Sequence, residues 1–217
     1  MKLQHLQIQS NNIQETAAFY QNVLNLSILE KDSRSVTIQA GESVLQFIEN
    51  LQLDSIYHFA FNIPQNKLQE AIQWVTNKVD LIVIEDTAVI ANFENWNANA
   101  IYFYDNNGNI LEFIVRYDLN NAQTEPFSSQ SILNISEIGI VNENPLVLAN
   151  QLITQHNLEF FSKNDNSELF AALGDDEGLL IMVRPGRNWY PTQIPSESNT
   201  TEVRLENKGI QIELKFS

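Results

Sequence analysis

The chain of 217 residues contains no cysteine. That excludes a disulfide framework, a zinc–thiolate site, an iron–sulfur cluster and a cysteine nucleophile. Basic residues are scarce: 12 Lys and Arg stand against 27 Asp and Glu, for a formal net charge of −15. Nucleic acids and anionic membranes are recognised by positive fields, so neither is expected as a partner. No apolar run approaches the roughly 18 residues a membrane span needs. Met1 to Ser10 is polar and alternating, unlike a basic-then-apolar signal segment, so the cytoplasm is the expected location. Only three histidines are present, and any metal site must be built from them, carboxylates and amides.

What is present is globular. The hydrophobic fraction is 43%, and the length suits one large or two small domains. Leu3 to Gln9 alternates with period two and reads as a half-buried strand. Ile13 to Leu24 follows as a helix behind the capping pair Asn11-Asn12. Short alternating runs at 26–31, 35–39 and 43–49 complete a β-α-β-β-β order. The order returns with a strand at 57–63, a helix at 67–79 and strand segments near 81–86, 88–94, 99–104 and 110–117. Of these, 88–94 is expected to be the least regular. The segment from Asp105 to Asn109 is a strong turn signal, with Asn107-Gly108-Asn109 read as turn chemistry. A polar linker spans 118–131. A third unit has a strand at 135–142, a helix at 145–156 and strands at 158–162, 168–173 and 178–184. Two strands, 200–205 and 209–216, end the chain. Self-similarity at this period reads as duplicated β-α-β-β-β modules. Residues 1–117 form the expected two-module domain, and 132–217 an incomplete second one.

Strand parity picks out a constellation. His5 lies in the first strand of module one, His58 in the first strand of module two, and Glu112 in that module's last strand. All three point away from the helix-covered face. If modules one and two pair into one curved sheet, they converge on its concave side. Two imidazoles and a carboxylate suit Fe, Mn, Ni or Zn with open positions left for substrate. Gln46 occupies the fourth symmetric position. Glu137 holds in module three the place of His5, but without matching partners it is not read as a ligand. His156 reads as a helix C-terminal residue favoured by the helix dipole. The basic, aromatic stretch of Arg184, Arg187, Trp189 and Tyr190 reads as a surface loop with a packed Trp, or else as a lid or anion contact.

The chain resembles the vicinal oxygen chelate superfamily of glyoxalases, fosfomycin- and bleomycin-resistance proteins and extradiol dioxygenases. The resemblance is carried by Leu3-Gln4-His5-Leu6 with Ala18 to Leu24, by Tyr57-His58-Phe59-Ala60, and by Ile101 to Phe113. It implies an α+β fold of paired βαβββ modules, with a cupped, mostly antiparallel sheet and outer helices. It also implies a divalent metal on His5, His58 and Glu112 that binds adjacent substrate oxygens. Gln46 and Tyr102 are then the candidate catalytic or contact groups, and Asn62 a candidate substrate contact. Departures limit the choice of reaction. Gln46 stands where glyoxalase I has a carboxylate, and an amide cannot act as a base. Tyr102 matches the tyrosine of the extradiol dioxygenases, but Phe93 stands where they carry an acid–base histidine. The function expected is a metal-dependent enzyme acting on a small oxygenated molecule, of lyase, isomerase, dioxygenase or transferase type. The alternative is a drug-sequestering binding protein without catalysis. A homodimer is compatible with either.

Overall fold

The computed structural model describes residues 1–52 and 54–217. Strand β1 (Lys2–Ser10) buries Leu3, Leu6 and Ile8 on one face and leaves His5 and Gln7 half-buried on the other. Helix α1 (Ile13–Ala18) starts at Asn12, whose side chain accepts the Glu15 N–H, and runs on as a π-helical turn over Phe19–Val23. Strands β2 (Ser27–Lys31), β3 (Ser35–Ala40) and β4 (Ser43–Glu49) complete module one.

Module two has β5 (His58–Asn62), α2 (Leu68–Thr76), a short β6 (Ala91–Phe93), β7 (Ala98–Tyr104) and β8 (Ile110–Arg116). Segment 88–94 is poorly regular as expected, with only Ala91–Phe93 in a strand, and 81–86 is more irregular still. It makes only isolated bridges, Leu81 to Phe103 and Glu85 to Ala88, while Ile82 and Ile84 pack on the core without a ladder. The turn from Asp105 to Asn109 is built as its letters suggest. The buried Asp105 carboxylate accepts from the N–H groups of Asn107 and Asn109, from Asn109 Nδ2 and from the Tyr20 hydroxyl.

Module three has β9 (Asn134–Val141), α3 (Pro145–His156), β10 (Phe170–Asp175) and β11 (Gly178–Val183). Segment 158–162 forms only the bridge Phe160 to Leu173. His156 does end α3, followed by Asn157 in the left-handed conformation. A hairpin of β12 (Thr201–Asn207) and β13 (Ile210–Phe216) closes the fold.

The architecture is α+β, with helices outside a large mixed sheet. The partners differ from those expected, however. Strand β5 lies between β8, in parallel, and β9, antiparallel, and β9 continues in parallel to β11. Strand β1 lies between β4 and β12, and meets β9 only at Leu3 opposite Ile135. Module two therefore shares its cup with module three, and module one shares its own with the C-terminal hairpin. The reason lies in 118–131, which is pinned rather than loose. Phe127 packs against Trp74 and Phe113, and its N–H donates to Glu70. Leu133 N–H then donates to the Asn62 carbonyl and lays β9 beside β5. Ser43 locks the two halves by donating to the Leu3 carbonyl and accepting from Ile135 N–H. No helix is long and apolar enough to cross a membrane.

Candidate functional site

The four strands β8, β5, β9 and β11 are buried on both faces. Their outer face meets the helices. Their inner face forms the wall of a cavity of about 250 Å³. At its buried end His58, Glu112 and Glu137 each offer a ligand atom, and these atoms lie within 4.8 Å of one another. His58 Nε2 is 3.2 Å from Glu112 Oε2, while His58 Nδ1 is buried without a hydrogen-bond partner. Tyr102 is buried beside them; burial first, then the Glu112 and Glu137 carboxylates, push its pKa well above the usual phenol value.

Glu137 has a second partner. Arg116 Nη2 donates to Glu137 Oε1, and Arg116 Nη1 reaches Asp176 at 3.4 Å. Asp176 and Asp118 both hold Lys163, at 2.6 and 2.7 Å, so alternating charges run from the cavity to the surface. Burial and the neighbouring Glu112 still push the Glu137 carboxyl up to about 8, against the pull of Arg116.

The rest of the lining is aromatic: Phe93, Trp96, Tyr102, Phe170, Trp189 and Tyr190. The Trp189 indole stacks on His58, with ring centroids 5.5 Å apart and planes 29° apart. Gly139 makes the room, since a Cβ there would lie 2.4 Å from Trp189 Cη2. Both readings of the basic, aromatic stretch describe its position: residues 184–188 form an exposed loop with Trp189 packed beneath, and Arg187, Trp189 and Tyr190 form part of the cavity wall.

The structure brings His58, Glu112 and Tyr102 together and leaves the other candidates elsewhere. His5 stands in the other cup, beside Gln46 and Arg204; burial, then Arg204, lowers its pKa. Asn62, at the far end of β5, donates from Nδ2 to the Asp176 carbonyl at 3.0 Å. Register explains why the triad divides. Ala60 faces Glu112 on β8 and Glu137 on β9. Gln7 faces Gln46 on β4 and Glu202 on β12. His5, Gln46 and Glu202 thus repeat the positions of His58, Glu112 and Glu137. In that copy Gln46 supplies an amide, and Glu202 pairs with Lys215 at 2.7 Å. The three-donor cluster exists, among the described residues, only in the cup of modules two and three. Sequence reasoning noted the position of Glu137 but not its partners. Arg116 gave no signal beyond a cation at the end of a strand whose only other charge is Glu112.

The donor set fits a divalent ion. Two carboxylates and one imidazole converge, an imidazole nitrogen lacks a partner, and Arg116 engages one oxygen of Glu137 and leaves the other free. A hydrogen-bonded second layer of this kind is how ligating carboxylates are oriented.

Residues 2–61 match the sequence pattern described as the Glyoxalase/Bleomycin resistance protein/Dioxygenase superfamily. A Bacillus subtilis subsp. subtilis str. 168 structure described as a candidate dioxygenase is 14% identical, with a TM-score of 0.63 over 98% of this chain and 66% of that one. This chain thus spans slightly less than two thirds of that protein. The lactoylglutathione lyase of Agrobacterium tumefaciens is 17% identical, covering 52% of this chain and 92% of its own, with a TM-score of 0.43. The fosfomycin resistance protein FosX of Listeria monocytogenes, solved with Mn(II) and sulfate, is 19% identical over 53% of this chain and 89% of its own, with a TM-score of 0.41. Curated protein sequences give no match. The chain therefore resembles the vicinal oxygen chelate superfamily on two grounds: the sequence pattern in residues 2–61, and an α+β fold shared along nearly its whole length with the Bacillus subtilis structure.

Proposed function

We propose that the protein is a metal-dependent enzyme of the vicinal oxygen chelate type, acting on a small oxygenated molecule. The observation that carries this reading is the convergence of His58, Glu112 and Glu137 at the buried end of an aromatic cavity. These three, rather than the set containing His5, would hold the ion. The carboxylate-rich set suits Mn or Fe better than a thiophilic ion. When bound, the ion would supply Lewis-acid polarisation of substrate oxygens. The chain's own residues do the rest. The aromatic wall excludes water and orients a small ligand. Tyr102 keeps its proton and packs its hydroxyl end beside Glu112, which limits how that carboxylate can turn. Arg116 fixes Glu137 by a hydrogen bond. The cavity is smaller than the roughly 300–1,000 Å³ of drug-sized sites, so the substrate is small.

One observation favours a second reading, a binding protein without metal. His58 with Glu112, and Arg116 with Glu137, already satisfy part of one another's hydrogen bonding. Titrating chelator-treated protein with Mn(II), Zn(II), Ni(II) or, without oxygen, Fe(II) while following thermal unfolding separates the two. A ligand at about 100 times its Kd stabilises the native state by about 2.7 kcal/mol. The metalloenzyme reading predicts a shift of that order for one of these ions, absent in Glu112→Ala. No shift with any of them, with the cavity still binding small aromatics, would favour the second reading.

A further inference from the structure

The aromatic wall carries one cation at its exposed end. Arg187 lines the cavity and lies over the Phe170 ring, with its Cζ 4.9 Å from the centroid. Among the described residues no carboxylate comes within ion-pair distance of it, in a chain where acidic groups outnumber basic ones more than two to one. Its backbone is fixed. Ser196 N–H donates to the Arg187 carbonyl at 2.9 Å, and Gly186 N–H donates back to Ser196 at 2.8 Å. An unpaired guanidinium on a fixed turn is pre-organised for an incoming anion, which spares the ordering cost of binding. Guanidinium forks match carboxylates in two parallel hydrogen bonds.

Between Arg187 and the buried carboxylates the walls are flat rings. Tyr190 meets Tyr102 edge-on at 5.8 Å and Phe93 edge-on at 5.9 Å, and Trp96 meets Phe93 at 5.9 Å. Such a box rewards a planar ring with face and edge contacts beyond simple burial. The cavity is thus polar at both ends and aromatic in the middle.

We propose that this cavity takes a planar aromatic molecule bearing a carboxylate, and that Arg187 is the residue that reads the carboxylate. The proposal rests on the cavity being the substrate site, as above, but not on the metal. Trp96 and Trp189 line the cavity and report on occupancy by fluorescence. Full-length protein titrated with benzoate, with its neutral analogue benzamide and with non-aromatic cyclohexanecarboxylate gives the test. Benzoate is expected to bind at least about 10-fold more tightly than either of the others, a difference of about 1.4 kcal/mol. In Arg187→Met the benzoate affinity falls to near that of benzamide, whose own binding changes far less. Arg187→Lys keeps part of the preference. Equal binding of benzoate and benzamide by the native protein, a preference that survives Arg187→Met, or no binding of any of the three would each overturn the proposal. Metal content measured on the same samples is an independent readout, so absence of metal with an intact benzoate preference would count against the metalloenzyme reading alone.

Discussion

Replacing Arg116 by Met is expected to destabilise the protein by about 3–5 kcal/mol, the cost of removing one partner from a buried ion pair. Arg116 is 0% exposed, and its guanidinium bonds both Glu137 and Asp176. It also lies near the Trp96 and Phe161 rings, at 5.6 and 5.9 Å from their centroids. Without it, Glu137, 4% exposed beside Glu112, must either take up a proton or stay charged with no counter-charge. The double variant Arg116→Met with Glu137→Gln removes that orphaned charge and should recover most of the loss, since the residues act as one unit. Urea unfolding midpoints at constant slope measure both. A loss below about 1 kcal/mol for the single variant, or a double variant less stable than the single, would show that the pair does not hold this cavity together.

Filling Gly139 is expected to cost about 3 kcal/mol, the upper part of the usual range for overpacking a core. Gly139 sits in the extended strand β9, where Val is at home, so the backbone itself is not at issue. The three atoms nearest an added Cβ all belong to Trp189, which is 4% exposed and stacked on His58. In Gly139→Val the indole must leave its place. Its fluorescence should shift to the red as it meets water, and the cavity should lose its wall against His58. An unchanged emission maximum with unchanged stability would mean that Trp189 is not seated as described.

Much of the architecture was legible because periodicity is local. The alternation of β1, the Asn12 cap, Pro145 at the start of α3 and the asparagine-rich turn after Asp105 each declare themselves over a few residues. Module boundaries followed from them. What local pattern does not encode is which strand lies beside which. The first strands of modules one, two and three carry similar letters, and nothing in β5 says that its neighbour is β9 rather than β1. That choice is made by Phe127 under α2 and by Leu133 and Ser43, residues with no strand signal of their own. The site inherited the same ambiguity. His58 and Glu112 lie in one module, so their association survived the change of partner. His5 was joined to them only through a pairing the fold does not make. Glu137 entered instead, because it holds in module three the strand position that His58 holds in module two. The aromatic wall was the least legible part. Trp96 reaches it from a short 3-10 turn, and Trp189 from a loop that only the space at Gly139 admits.

The proposed metal site places one ion in the cup of modules two and three and none in the cup that holds His5. Elemental analysis of protein purified without a histidine tag and reconstituted with excess divalent metal, then dialysed, tests it directly. The native protein and His5→Ala should each carry about one transition-metal ion per chain, and His58→Ala and Glu112→Ala should carry none. Loss of metal in His5→Ala, or no metal in the native protein, would contradict the account.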